Sequence, residues 1–133
     1  MGIDYGTKRV GIAVSDPLRI IASSLTTVKS NEVFEFLENY FKKENVDIIV
    51  VGDPSGQNKN PRMKKLSDDF CHGLRKKFPK KNIERMHEFY TSKMAFQAMI
   101  DGGLKKQERK NKATVDKVSA SIILQDYLKK IQC

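Results

Sequence analysis

The most constraining feature of this chain is a short apolar run, Val46, Ile48, Ile49, Val50 and Val51, that stops at Gly52. Strands with one wet face alternate apolar and polar residues, whereas a near-continuous β-branched run predicts a parallel strand covered on both faces, in the centre of its sheet. Helix patterns flank it. Asn31 is placed as the N-cap of a helix in which Val33, Phe34, Leu37, Tyr40 and Phe41 share one side. Pro61 opens another, whose Met63, Leu66, Phe70 and Leu74 recur on one face until Phe78-Pro79 ends it.

Upstream, Ile3, Val10, Ile12 and Val14 alternate with small or polar residues, and Gly6-Thr7-Lys8 interrupts them as the turn of a hairpin. Asp16-Pro17 supplies a second turn, after which Ile20, Ile21, Leu25 and Val28 offer a third strand and complete an antiparallel meander. Downstream, Ile83 to Glu88 reads as a strand. Thr91 caps a short helix with Met94, Ala95, Ala98 and Met99 inward, stopped by Gly102-Gly103, and a last helix runs from about Ala113 to Lys130. The order β-β-β-α-β-α-β-α-α predicts one α/β domain over residues 1–133, with a central five-stranded mixed sheet flanked by helices. Right-handed crossovers make the first, fourth and fifth strands parallel, so their carboxyl ends share the edge where open α/β sheets bind ligands.

Charge narrows the ligand. Lys and Arg number 25 against 16 Asp and Glu, a net +9, and such a balance favours polyanions because each neutralised phosphate releases condensed counterions. The positive residues crowd two connections, Lys59, Arg62, Lys64 and Lys65 at one, and Lys105, Lys106, Arg109, Lys110 and Lys112 at the other. Aromatic residues are only 8% and Trp is absent, so recognition is expected to follow backbone shape and to be salt-sensitive rather than to read bases. No apolar stretch approaches a membrane span, and neither a secretion leader nor a CxxC pair is visible, which makes the cytoplasm the expected address. Cys71, beside His72, is assigned to helix packing.

Asp4 falls near the end of the first strand and Glu88 ends the fifth, so the two carboxylates are expected at the same sheet edge. Asp116 shares a helical stripe with Ala120, Ile123 and Tyr127 and therefore faces the sheet. Three carboxylates converging without an obvious internal cation repel one another unless a divalent ion compensates, and oxygen-only ligands suit Mg²⁺ or Mn²⁺. Paired ions of this kind activate water and stabilise a leaving oxygen in phosphodiester cleavage. Each acid also has a plainer use: Asp4 in holding turn amides, Asp116 at the positive end of its helix, Glu88 as a solvated strand end.

The opening MGIDYGTKRVGIAVSD, the segment from Ile49 to Pro54, and the stretch from Arg109 to Gln125 closely resemble the YqgF family, bacterial Holliday-junction-resolvase-like proteins also described as pre-16S ribosomal RNA nucleases. The resemblance spans essentially the whole chain. It implies a ribonuclease H-like fold, an acidic triad at Asp4, Glu88 and Asp116, and phosphate contacts from Lys8 and Arg9 together with Arg109, Lys110 and Lys112. Two departures accompany it. The family's Asp-Glu-Arg is His87-Glu88-Phe89 here, and Asp53 takes a usually apolar place, either as an additional metal-edge acid or as a turn residue, the reading favoured.

The expected function is therefore a magnesium-dependent nuclease acting on structured RNA or branched DNA, as a monomer or homodimer. One alternative is an RNA-binding ribosome-maturation factor that has lost cutting. Another, suggested by Asp4-Tyr5-Gly6-Thr7, is an ATPase-like nucleotide module, but those proteins close two such domains around the nucleotide, and Ile12 stands where a P-loop requires Lys.

Overall fold

A computed structural model describes residues 1–54, 61–87, 97, 100–102 and 111–132. Strands β1 (Gly2–Tyr5), β2 (Arg9–Ser15), β3 (Ala22–Lys29), β4 (Ile48–Asp53) and β5 (Asn82–His87) form one sheet in the order β3-β2-β1-β4-β5. β1 pairs antiparallel with β2, and β2 with β3, while β1–β4 and β4–β5 are parallel. The expected mixed sheet is thus present, in the ribonuclease H-like arrangement. β4 is an interior strand, but the middle place belongs to β1.

Helices α1 (Val33–Lys43) and α2 (Pro61–Lys77) cover one face of the sheet, and α3 (Lys112–Gln132) covers the other. On the first face Ile3, Val10, Ile12, Ile49 and Val51 pack against Leu37, Phe70 and Leu74, and Tyr5 stacks on Phe70 with ring centroids 4.4 Å apart. On the second face Ala13 and Val50 meet Ala120, Ile123, Leu124 and Leu128. Alternate residues of β4 therefore enter different cores, as its β-branched run requires. Cys71 is buried within α2, consistent with packing.

Several local expectations are corrected. Asn31 lies inside a 3-10 turn, Ser30–Glu32, and caps nothing through its side chain; Glu32 is the residue before α1. Ile20 and Ile21 precede β3 and are exposed, because the Asp16 carboxylate accepts both of their backbone N–H groups, at 2.7 and 2.9 Å, and closes the turn there. Leu25 is exposed as well. The β2–β3 register slips between Ile12 and Ala13, pairing Ile12 with Thr26 but Ala13 with Ser24, and Leu25 is the residue passed over. A bulge spoils the period-two reading beyond it. The short helix assigned from Thr91 lies mostly outside the described residues.

Those two amide bonds, Ile21 first and then Ile20, hold the Asp16 carboxyl below the usual aspartate range. A carboxylate whose pKa is depressed in the folded protein contributes stability that is complete above the unfolded value and is lost as pH falls through the folded one. Acid titration followed by amide NMR should therefore loosen Ile20 and Ile21 only below the ordinary aspartate range, and Asp16→Asn should remove that pH step.

Candidate active site

Asp4 is the third residue of β1, and its ladder partner on β2 is Gly11. In β1, Ile3 turns toward α1 and α2, so Asp4 and Gly2 belong to the opposite face, the one α3 covers. There α3 comes unusually close. A Cβ on Gly11 would collide with the backbone carbonyl of Asp116 and lie 2.9 Å from the Lys117 nitrogen; a Cβ on Gly2 would lie 2.7 Å from Leu124 Cβ. Glycine in mid-strand marks such a backbone approach. The helix is also tied down by polar bonds from the meander: Thr27 Oγ1 donates to the Ala113 carbonyl, Ser24 Oγ to Lys117 at 3.1 Å, and Ala22 N–H to Gln125 Oε1 at 2.9 Å. Asp4 and Asp116, from opposite ends of the chain, are thereby brought to the same face and the same end of the sheet.

Asp116 does have a cation. Arg9 Nε donates to its Oδ2 at 2.8 Å, with the two side chains 35% and 24% exposed. The expectation of acids without an internal cation is corrected at this point, and Arg9, anticipated as a phosphate contact, is engaged with a carboxylate. Pairs this open to solvent contribute only about 0–1 kcal/mol to stability. Glu88, which follows β5 directly in sequence, lies outside the described residues, as do Lys59, Arg109 and Lys110. Among the described residues, no three His, Cys, Asp or Glu side chains cluster as a complete metal site. The two acids that are described are oxygen donors, the chemistry that suits Mg²⁺ or Mn²⁺.

Around this edge Lys8, Lys29 and Lys112 are exposed. Lys8 sits in the β1–β2 turn, which is fastened to the end of β3 by Ser30: its N–H donates to the Lys8 carbonyl at 3.0 Å and its Oγ to that of Thr7 at 2.7 Å. Lys112 begins α3, behind Asn111, whose Oδ1 accepts the Ala113 N–H at 3.0 Å. Lys29, the ladder partner of Arg9, was not singled out by sequence reasoning; its only signal is a Lys ending the third strand. Arg62 is exposed at the start of α2, on the other face of the sheet.

Asp53 is the last residue of β4, paired in register with His87, and not a turn residue. Its carboxylate stands 3.8 Å from Arg85, on the face covered by α2. Arg85, also missed in the sequence, ties β5 to α2 and β4: it donates to Ser67 Oγ at 2.8 Å, Asp68 Oδ1 at 3.2 Å and the Gly52 carbonyl at 3.2 Å. Its guanidinium is thus spent on the α2 side of the sheet. Far from the acids, at the opposite edge, Val14, Val46, Ile48, Val50, Leu124 and Leu128 line a cavity of about 610 Å³. Of its three acids, Asp16 is bonded to turn amides and Asp47 to Arg19, while Glu44 lies at the end of α1.

No described helix is long and apolar enough to cross a membrane. Among solved structures, one of Fowlpox virus resolvase with its substrate Holliday junction DNA aligns over 99% of this chain and 97% of that one, at a TM-score of 0.56 and 13% identity. That likeness concerns the fold. Proteins from Christiangramia forsetii and Flavobacterium psychrophilum, both named "Putative pre-16S rRNA nuclease", are each 50% identical over 96% of this chain, which spans 96% and 94% of their lengths. The family model described as "RuvX: Holliday junction resolvase" matches residues 1–130. With a match of that extent and relatives half identical along nearly the whole sequence, the chain belongs to the RuvX family of Holliday junction resolvases.

Proposed function

We propose that this chain is a magnesium-dependent nuclease that hydrolyses phosphodiester bonds of structured nucleic acid, with a ribosomal RNA precursor as its natural substrate. The carrying observation is that Asp116 closes over Gly11, the strand partner of Asp4, on the open edge where exposed Lys8, Lys29 and Lys112 stand. Asp4, Asp116 and Glu88 would hold the ion. When bound, it neutralises the carboxylates and the scissile phosphate and makes water nucleophilic at neutral pH. Asp4 is held by the β1–β2 ladder, and Asp116 by the tethered helix, so neither needs reorganising for the reaction. Lys8, Lys29 and Lys112, with the positive end of α3, are suited to gripping phosphates without reading bases. The preference for rRNA over DNA junctions rests on the names of the relatives at half identity. The cytoplasm, where Cys71 stays a thiol, is the proposed setting.

The test offers the full chain a 16S rRNA precursor with its flanks and a four-way DNA junction, in Mg²⁺ and in EDTA. Precursor cleavage in Mg²⁺ alone is expected, with slower or no cutting of the junction. Binding to both substrates with no cleavage of either would make the chain a binding factor, and ATP hydrolysis without nuclease activity would make it a nucleotide module.

A further inference from the structure

We infer that Arg9 is a positioning residue for Asp116: it holds one carboxylate oxygen in place and leaves the other for the divalent ion. The inference rests on the metal-dependent reading above and concerns a residue whose expected partner was phosphate. The contact joins positions 107 apart in the chain, and it uses a single nitrogen, Nε, on a single oxygen, Oδ2, at 2.8 Å. A carboxylate has two oxygens able to accept or ligate, so one charge-assisted bond fixes its orientation without consuming its donor capacity. Arg9 opens β2 and pairs in register with Lys29, so the guanidinium projects from a laddered strand and not from a mobile loop.

The surroundings explain why Asp116 needs such a partner. Its backbone is pressed against Gly11, but its side chain is a quarter exposed and is bonded, among the described residues, to Arg9 alone. A ligating carboxylate left to choose among rotamers forfeits affinity, and outer hydrogen-bond partners commonly set that choice. Because the pair is too exposed to contribute much to stability, its effect should appear in metal binding and not in melting.

Manganese is titrated calorimetrically into the full-length wild type, Arg9→Gln, Arg9→Lys and Asp4→Asn, each also melted. Arg9→Gln should bind Mn²⁺ about 10- to 100-fold more weakly with little change in melting temperature. Arg9→Lys should recover only part of the loss, because an ammonium is a point charge without the planar Nε–H. Unchanged or tighter Mn²⁺ binding by Arg9→Gln overturns the inference, and so does wild-type affinity in Arg9→Lys, which remains decisive if the glutamine variant does not fold. Should the wild type itself bind no Mn²⁺, the metal-dependent reading fails first. Should the wild type bind and Asp4→Asn not, while Arg9→Gln binds as well as wild type, only the role of Arg9 falls.

Discussion

Asp4→Asn should cut its substrate at least about 100-fold more slowly than wild type while still binding it. That floor is the upper end of the roughly 10- to 100-fold loss seen when a mere outer partner of a metal ligand is removed, and a direct ligand should cost no less. The amide keeps the size and the β1–β2 ladder of Asp4 but removes the charge that attracts a cation, so the fold should survive. Asp116→Asn should fall comparably, and the double variant should be scarcely worse than either single one, because residues that hold one centre act as a unit. Cleavage rates in Mg²⁺, gel shifts in EDTA and melting curves check the three claims separately. If Asp4→Asn cut as fast as wild type, the edge between β1 and α3 would not be the active site, whatever the family.

What the sequence made legible depended on periodicity and on chain direction. The apolar run of β4 called for cover on both faces, and Val50 does enter a different core from Ile49 and Val51. The stripe of Asp116 with Ala120, Ile123 and Tyr127 put that acid toward the sheet, and parallel pairing of β1 with β4 and of β4 with β5 put the strand ends together. Contacts that no local pattern encodes were lost. Nothing near Arg9 announces an acid at position 116, and nothing in Asn82–His87 announces that Arg85 will reach Ser67, Asp68 and Gly52. The β3 error was of a different kind: Ile20, Ile21 and Leu25 look like core by hydrophobicity, but a side-chain-capped turn and a bulge set them in water. Gly11 was readable in principle. A glycine between Val10 and Ile12 interrupts a strand that otherwise favours β-branched residues, and close backbone approach is the usual reason.

That approach leads to the second large effect. Gly11→Ala should destabilise the protein by about 3 kcal/mol, the upper end of what overpacking usually costs. The new methyl group meets backbone on both fronts. β2 is laddered between β1 and β3, and α3 is bonded to β3 through Thr27, Ser24 and Gln125, so neither can yield as a side chain would. The helix has to lift near Asp116, which takes that carboxylate away from Arg9 and from the strand carrying Asp4. Thermal melting should fall by roughly 10 °C, and Mn²⁺ affinity of the folded fraction should fall with it. Gly73→Ala is the matched control: its Cβ would meet only the tip of the Phe34 ring, at 3.0 Å, and that ring can turn aside. In the interior of α2 alanine is favoured over glycine by roughly 0.5–1 kcal/mol, so this variant should melt no lower than wild type and should bind Mn²⁺ normally. A Gly11→Ala protein as stable as Gly73→Ala would mean that α3 does not rest on β2 as closely as the Asp4–Asp116 site requires.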